Sequence, residues 1–366
     1  MNRKGLSSLV LVACLSVAGA ASSIAGCGSE PAEAAAASDG GEDGASSPET
    51  GANDAAADGS SPRDAAADAP GLDASDASDA SDARPNLPPP TGTPRTLASG
   101  QNTPRGIAVA GGSVYFTVSE DEVLRRVDAD GGTVDTLATD LEDVFAVTID
   151  GTYAYVATDH PQGVVVRVPL TGGPTEPLAS NQLYPTAIAV SAGEAFFTTS
   201  TTITSVPVTG GPLTVRADKL SGPNGIAISG STIYFTDYNG GSVGRAVGGV
   251  VSTVLGGQAS PSGIVLAGGR LFYTCTGDGT VRTVLPDGTG AGVVTSGWQL
   301  PLQIVTDGSL LYFTTAVGDV VRVATDGTGL TLMATGEQGP EGIAIDATSV
   351  YWVTHPGDSV RALTPR

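Results

Sequence analysis

The chain reads Pro223-Asn224-Gly225-Ile226-Ala227-Ile228 and then, after a gap of four residues, Ile233-Tyr234-Phe235-Thr236-Asp237. This pair of segments recurs seven times between Pro94 and Arg366, and its first aromatic position repeats every 38 to 41 residues. A period in this range indicates repeated supersecondary units, each too small to bury its own apolar faces. The other copies of the first segment begin at Pro104, Phe145, Pro185, Pro261, Pro301 and Pro340.

Two aromatic columns mark the second segment of each unit, and they hold 13 of the 18 aromatic residues of the chain. Neighbouring residues of a strand point to opposite faces, so both faces of this strand are apolar. That pattern is expected for a sheet packed between two other sheets. The columns are Tyr115, Tyr155, Phe196, Tyr234, Phe272, Tyr312 and Tyr351, and Phe116, Val156, Phe197, Phe235, Tyr273, Phe313 and Trp352.

Two further strands complete each unit. A valine-rich run such as Val164–Val168 is followed by a weaker run such as Pro177–Ala179, and turns such as Asp150-Gly151 and Gly172-Gly173 separate the segments. Glycine supplies the positive φ angles that tight hairpins require. No stretch of the repeat region has an apolar period of 3.6 residues. The sequence therefore predicts an all-β fold with four strands per unit.

The ends of the repeat region predict how the units are joined. Four-stranded antiparallel units repeated radially form a β-propeller. The seventh unit stops at its third strand, Val360–Leu363, whereas an extra fourth strand, Arg95–Ala98, precedes the first unit. We therefore predict a seven-bladed β-propeller over residues 94–366, closed into a ring by its N-terminal strand. Six blades or an open ring are the alternatives.

The repeat motifs also support a family resemblance. The segments Pro223–Ile228 and Ile233–Asp237, followed by Arg245, resemble the NHL-repeat and YWTD propellers and the related lactonase and virginiamycin B lyase-like propellers. The resemblance covers residues 94–366 and implies the blade architecture. Because its motifs are structural, it leaves the chemistry open. Only the fourth unit keeps the aspartate of the Tyr-Trp-Thr-Asp pattern, at Asp237.

Residues 1–27 have the pattern of a bacterial lipoprotein signal peptide. A basic start precedes the apolar stretch Leu6–Val17, which is too short to span a bilayer. The segment Ile24–Cys27 resembles a lipobox, which implies that Cys27 is lipidated and becomes the new N-terminus. Gly28 in place of an aspartate favours the bacterial outer membrane or the cell surface. An ordinary secreted protein is the alternative.

Residues 28–93 are predicted to be a disordered acidic tether. Alanine, serine, aspartate, glycine and proline dominate this segment, and 14 acidic residues face only Arg63 and Arg84. Such a composition buries too little apolar surface to fold. The formal charge is −21 for the whole chain and −11 for residues 94–366. This balance argues against nucleic acid or an anionic membrane surface as the partner of the propeller.

Cysteine and histidine are scarce. Once Cys14 leaves with the signal peptide and Cys27 carries lipid, Cys275 is the last cysteine, so no intramolecular disulfide is expected. Its place beside the aromatic columns favours a small buried hydrophobic residue. His160 and His355 each precede a proline, as exposed turn residues do. The resemblance to the lyases, which use a histidine and a divalent metal on one face, keeps His355 as a candidate.

A column of arginines recurs at one blade position. We expect an architectural role, in which the aliphatic stem packs between blades and the guanidinium pairs with a turn carboxylate. A ring that binds an anion is the alternative. The column is Arg126, Arg167, Arg245, Arg282, Arg322 and Arg361, with Ser205 in the third unit.

The positions just ahead of the inner strands are the candidate ligand site, because propeller loops open there onto the central channel. They vary in chemistry while their flanks repeat, as in a site grafted on a scaffold. Four of them, Arg105, Asn224, Gln303 and Glu341, are our ligand-binding candidates. The lactonase resemblance implies calcium on Glu341 and Asn224, but a third acidic ligand is not evident. The full set is Arg105, Phe145, Thr186, Asn224, Ser262, Gln303 and Glu341.

The sequence contains no Ser–His–Asp arrangement, phosphate-binding glycine loop or zinc-ligand spacing. We therefore assign no catalytic residue and no cofactor. We predict a monomeric, lipid-anchored propeller that binds or scaffolds an envelope protein, peptide or glycan. One alternative is a metal-dependent lactonase- or lyase-like enzyme acting at the channel mouth. A structural envelope component without a specific ligand is the other.

Overall fold

A computed structural model describes residues 84–90 and 92–366 of the chain. Its strands form seven four-stranded antiparallel sheets, which confirms the predicted all-β, seven-bladed propeller. The signal peptide, Cys27 and residues 28–83 of the predicted tether lie outside the described residues. Within the described part, no helix is long and apolar enough to cross a membrane.

Each blade is built from four successive strands. The inner strands are β2 (Pro104–Ala110), β6 (Val144–Ile149), β10 (Ile188–Ser191), β14 (Pro223–Ser229), β18 (Pro261–Ala267), β22 (Pro301–Thr306) and β26 (Pro340–Ile345). The second strands are β3 (Ser113–Val118), β7 (Tyr153–Thr158), β11 (Glu194–Thr198), β15 (Thr232–Asp237), β19 (Arg270–Cys275), β23 (Leu310–Thr315) and β27 (Val350–Thr354). The third strands are β4 (Val123–Asp128), β8 (Gly163–Pro169), β12 (Ile203–Pro207), β16 (Ser242–Val247), β20 (Thr280–Val284), β24 (Val320–Ala324) and β28 (Ser359–Leu363). The outer strands are β5 (Asp135–Ala138), β9 (Glu176–Gln182), β13 (Thr214–Ala217), β17 (Val250–Leu255), β21 (Gly292–Thr295), β25 (Thr331–Ala334) and, for blade seven, β1 (Arg95–Ser99).

The ring closes as the sequence predicts. Successive inner strands contact one another, and β26 contacts β2. The N-terminal strand β1 pairs antiparallel with β28, and Arg361 Nη1 donates to Thr96 Oγ1 at 2.5 Å across that pair. Strand β1 therefore completes blade seven. We call the end of the ring at which the inner strands begin the mouth, and the opposite end the far end.

Apolar side chains fill the space between neighbouring blades. Both aromatic columns are buried, and Phe197 and Phe235 belong to one cluster that spans blades two to four. Burying an aromatic side chain of this size stabilises a fold by roughly 1.5–3 kcal/mol. Two tyrosines also bind the far-end turn of their own blade: Tyr155 donates to Asp150 Oδ2 at 2.6 Å, and Tyr351 donates to Asp346 Oδ2 at 2.8 Å.

A threonine near the end of the second strand ties neighbouring blades together. In blade five, Gly263 N donates to Thr274 Oγ1 at 2.9 Å, and that hydroxyl donates to Leu302 O of blade six at 2.6 Å. A hydroxyl can accept and donate at once, so one side chain serves both inner strands. The equivalent hydroxyls of Thr117, Thr236 and Thr314 also donate to the inner strand of the following blade.

Four of the six arginines in the column pair with a carboxylate of the described residues; Asp278 and Glu337 lie in connections, whereas Asp135 and Glu176 lie on outer strands and not in turns. Arg167 Nη2 lies 2.5 Å from Glu176 Oε2 on the outer strand of its own blade, and Nη1 donates to Val208 O of the next blade. Its guanidinium also lies over the Tyr153 ring, 4.5 Å from the centroid. In blade three, where Ser205 stands in the column, Arg216 of the outer strand pairs with Glu194 instead. The arginines of the column lie on third strands, and each is bound by residues of its own blade or of a neighbouring blade.

Candidate functional site

The seven predicted mouth residues lie closer to the strands than expected. All but Thr186 are inside the first residues of the inner strands, and in blades one, two and four to seven the pairing register shifts there, as at a β-bulge. Most of their side chains are buried, whereas Arg105 is partly exposed. These positions are therefore packed strand residues, and their chemistry is set by burial as well as by charge.

The choice of Gln303 was wrong by one position. Ile304 pairs with Phe313 just as Ile226 pairs with Phe235, so Gln303 occupies the glycine position of the repeat and Leu302 the variable one. A Cβ added at Gly225 would lie 2.6 Å from Ser262 O of the next blade. The glutamine occupies this crowded position in blade six, where its N–H lies 3.4 Å from Thr314 Oγ1. The repeat is degenerate there, so sequence alignment alone misplaced it.

Charged residues meet where blades seven, one and two adjoin. Arg105 of blade one donates from Nη1 to Glu341 Oε1 of blade seven at 3.2 Å. Its guanidinium carbon lies 5.3 Å from the ring centroid of Phe145 in blade two. The Arg105 side chain is 22% exposed, whereas that of Glu341 is 8% exposed. Three blades thus bring one partly exposed cation and one buried carboxylate to the mouth.

Burial determines the electrostatics of this cluster. Removal from water raises the pKa of Glu341, and the charge of Asp159 raises it further, while Arg105 opposes both effects. Burial also raises the pKa of Asp159, against the lowering effect of Arg105 and together with the raising effect of Asp143. The environment therefore disfavours negative charge at these two carboxyl groups. A ligand with a positive group would supply the charge that they lack.

His355 borders the same cluster, and His160 follows Asp159 directly in the chain. Burial lowers the pKa of His355, and the charge of Arg105 lowers it further, while Asp358 and Glu120 act in the opposite direction. His355 is therefore favoured as a neutral imidazole that can accept a proton. His160 lies 3.4 Å from Glu142 through its Nε2. We call Arg105, Glu341, Asp159, Phe145 and His355 the charged sector of the mouth.

The remaining mouth positions form a neutral sector. Thr186, Asn224, Ser262 and Leu302, in blades three to six, are buried and uncharged. Thr186 shares a hydrogen bond of 3.0 Å with Thr198 of its own blade. Of the four ligand-binding candidates, the structure brings Arg105 and Glu341 together. Asn224 lies on the inner strand of blade four, and Gln303 lies in the glycine position of blade six.

Asp159 is a site residue that the sequence analysis missed. It follows the end of β7, and its N–H donates to Asp143 O in the connection leading to blade two at 2.8 Å. The signal was present in the sequence, because Asp159 stands directly before the His160-Pro161 pair. Its position relative to Arg105 depends on how blades one and two adjoin, which the repeat pattern does not encode.

The calcium ligands implied by the lactonase resemblance do not fit a metal site. The carboxylate of Glu341 already accepts from the Arg105 guanidinium, a cation that would repel a metal ion bound beside it. Among the residues that the structure describes, no group of three or more histidine, cysteine, aspartate or glutamate side chains is placed to hold a metal ion. We therefore derive no chemical step through a metal.

Cys275 and Asp237 are explained by the fold. Cys275 is buried, and burial raises the pKa of its thiol to about 11, so a reactive thiolate is disfavoured. The carboxylate of Asp237 accepts from Ser221 N at 2.9 Å and so holds the connection between blades three and four. Both residues support the blade itself.

Comparisons with known proteins identify solved structures of similar fold. No protein-family profile matches the chain, and no curated protein matches it significantly. Virginiamycin B lyase from Staphylococcus aureus is 18% identical, covers 74% of this chain and 98% of its own, and gives a TM-score of 0.63. A catalytically inactive histidine-to-alanine variant of that lyase, solved with quinupristin, gives the same values.

A chain of the nidogen/laminin complex is 20% identical, covers 59% of this chain and 90% of its own, and gives a TM-score of 0.51. At these identities the comparisons establish the fold. The chain has the fold of a seven-bladed β-propeller.

Proposed function

We propose that this protein is a non-catalytic binding module of the bacterial cell envelope, anchored by a lipid on Cys27, whose partner docks at the charged sector of the mouth. The observation that supports this proposal is the convergence of Arg105, Glu341, Phe145 and Asp159 from three blades at the mouth. The equivalent positions of the other blades are neutral. A structural ring needs no such sector, because those blades pack without it.

The charge of the mouth indicates the chemistry of the partner. Of the 24 acidic residues in residues 94–366, 14 lie at the mouth, in its connections or in strand residues next to them. Glu341 and Asp159 are disfavoured as anions by burial, so a cation placed beside them would lower the free energy of their charged forms. A lysine- or arginine-bearing segment of a protein or peptide fits these properties better than a neutral glycan does.

Calorimetric titration with tetralysine, at two salt concentrations, tests the mouth. We expect the Asp159→Asn/Glu341→Gln double variant to bind at least about tenfold more weakly than the native chain, since two carboxylates facing the cation are neutralised. The matched control is Asp287→Asn/Asp326→Asn, which removes two charges at the far end, and its affinity should change less than about twofold. Equal losses in both variants would mean nonspecific attraction and would refute a mouth site.

The lipid anchor has its own test. In a bacterial host that processes lipoproteins, the native chain should partition into the detergent phase of a phase-separation assay. The Cys27→Ser variant should move to the aqueous phase, because the acceptor of the lipid is gone. Detergent partitioning of both proteins would refute lipidation at Cys27 and would leave the mouth proposal untouched.

A lyase-like enzyme is the second candidate function, and His355 favours it. Its pKa is lowered by burial and by Arg105, so a neutral base lies near a cation that could stabilise a developing anion. The likeness to virginiamycin B lyase, a histidine variant of which is catalytically inactive, adds to this reading. Turnover of quinupristin, the compound present in the structure of the lyase variant, that is lost in His355→Ala while tetralysine binding is kept would support the enzyme. Equal turnover in both proteins would refute it.

A further inference from the structure

Residues 84–90 lie against blades five and six, although the predicted tether runs to residue 93. The sequence of this segment, which we call the strap, is Arg84-Pro85-Asn86-Leu87-Pro88-Pro89-Pro90, with four prolines in seven residues. Leu87 packs against the apolar cluster that contains Trp298 and Leu332. The strap is thus a peptide seated on the surface of the ring.

Arg84 binds a buried carboxylate of blade six. Its Nη1 lies 3.2 Å from Asp319 Oδ1 and 3.1 Å from Thr335 Oγ1, and Thr335 donates to the same aspartate oxygen at 2.8 Å. The Asp319 side chain is 7% exposed, whereas that of Arg84 is 44% exposed. A buried carboxylate left without a countercharge is strongly unfavourable. Arg84 supplies that charge from outside the propeller repeat.

The composition of the strap suits docking. It forms no strand or helix, as expected of proline-rich segments, which adopt extended conformations without internal hydrogen bonds. Prolines also reduce the conformational freedom that is lost when the segment binds. Recognition of such segments by grooves with aromatic walls is a recurring mode of peptide binding. Trp298, whose ring packs edge-on against Phe313 at 5.3 Å, supplies the aromatic wall.

The groove is larger than the strap that occupies it. A half-open pocket of about 450 Å³ lies beside the strap, lined by strap residues and by Trp298, Leu332 and Thr335. Incomplete packing leaves unused contact area beside Leu87. An occupant held by one ion pair and one leucine in such a groove can exchange with a competing segment of the same type.

We propose that this groove is a docking site for proline-rich segments of the type Arg-Pro-x-Leu-Pro-Pro, and that the chain's own strap is its resident occupant. The arginine neutralises Asp319, the leucine fills the apolar pocket beside Trp298, and the prolines keep the segment extended. Docking in cis fixes residues 84–90 against blades five and six. This site is separate from the charged sector of the mouth.

Tryptophan fluorescence of the full chain tests the proposal, because Trp298 is one of only two tryptophans. In Leu87→Asp the strap should leave the groove and the emission should shift to the red as Trp298 meets water. The matched control, Leu213→Asp, places the same charge on an exposed leucine of blade three and should leave the emission unchanged. Trp298→Phe should abolish the response to Leu87→Asp.

A synthetic peptide with the sequence of residues 84–90, added to Leu87→Asp, should reverse the shift in a saturable manner. Its arginine-to-alanine analogue should bind about tenfold more weakly, as should the native peptide to a chain that also carries Asp319→Asn. An unchanged emission in Leu87→Asp, or a shift that the peptide does not reverse, would refute the site. If the native chain showed its unshifted emission only as a dimer, the strap would dock on a second copy, and docking in cis would be refuted.

Discussion

The carboxyl groups with a shifted pKa differ between the two ends of the ring. At the far end, five turn aspartates have a lowered pKa; at the mouth, the pKa of Glu341, Asp159 and Asp237 is raised by burial. The five aspartates are Asp150, Asp287, Asp307, Asp326 and Asp346.

Asp307 shows how the far end uses its charge. Burial acts to raise its pKa, but the N–H groups of Leu310 and Ser309 and the guanidinium of Arg366 outweigh that effect and lower the pKa to about 2. The carboxylate accepts from Leu310 N at 2.8 Å and from Arg366 Nη1 at 2.6 Å. Charge at this end is therefore satisfied within the fold and holds its turns.

Glu341 shows the contrast. Its carboxylate is more deeply buried than that of Asp307, and Arg105, its ion-pair partner, does not fully compensate for the loss of water. The comparison teaches that burial alone does not decide the state of a carboxyl group. The balance between burial and the donors around the group decides it: the donors of the turn outweigh burial at Asp307, whereas Arg105 does not outweigh burial at Glu341.

The largest expected effect is at the far end. Asp307→Ala should lower the free energy of unfolding by about 2–3 kcal/mol at neutral pH, because a turn and the Arg366 guanidinium lose their acceptor. Urea unfolding followed by circular dichroism measures this change. Asp287→Ala is the control. The exposed carboxylate of Asp287 binds Thr289 of its own turn, so this variant should lose less free energy of unfolding. An equal loss of unfolding free energy in Asp287→Ala would contradict the greater structural role assigned to Asp307.

At the mouth we expect a smaller effect of the opposite sign. Glu341→Gln should leave the free energy of unfolding unchanged or raise it by up to about 1 kcal/mol, because it removes a charge that burial disfavours. Tetralysine binding should weaken in the same variant. Marked destabilisation by Glu341→Gln in urea unfolding would show that the pair with Arg105 is structural, and the two ends would then not differ in kind.

The smallest expected effect is a difference in pH dependence. The Asp307 contribution is present above its unfolded pKa of 3.8 and is lost as the pH falls through its folded pKa of about 2. Glu341 behaves in the opposite way: its folded pKa is raised above 4.5, so its ionised form destabilises the ring, and this penalty fades as the pH falls toward 4.5. As the pH is lowered from 7.5 to 4.5, the free energy of unfolding should therefore fall less steeply, or rise more, in the native chain than in Glu341→Gln. Parallel curves would contradict the raised pKa.

Much of the fold could be predicted because the same pattern of apolar strands and turns occurs seven times in the sequence. The aromatic columns and the extra strand Arg95–Ala98 predicted the blades and their closure, and the structure confirms both. The error at Gln303 arose where the repeat is degenerate and a single copy had to be aligned without its pairing partner. The threonines that tie neighbouring blades together were not identified from the sequence, because the carbonyl groups that accept their hydrogen bonds belong to the next blade.

The candidate site was only half predictable. Arg105 and Glu341 were selected because they vary within a repeating frame, and the structure joins them at 3.2 Å. Asp159 could not be selected in that way, since it lies on a connection outside the repeated segments. The strap was assigned to the tether, because its four prolines resemble the linker before it. Its contacts with Asp319 and Trp298 depend on residues more than 200 positions away.

The sequence by itself determined the blade, the number of blades and the closing strand, because apolar periodicity, turn glycines and a missing last strand are local or repeated properties. The tertiary structure alone decided which variable residues meet, which carboxylates are short of donors, and that the strap packs on blades five and six. The physical reason is that a propeller brings inner-strand residues about forty positions apart, and its first and last blades, into contact only when the ring is closed. Burial, and with it the pKa of each carboxyl group, is a property of those contacts.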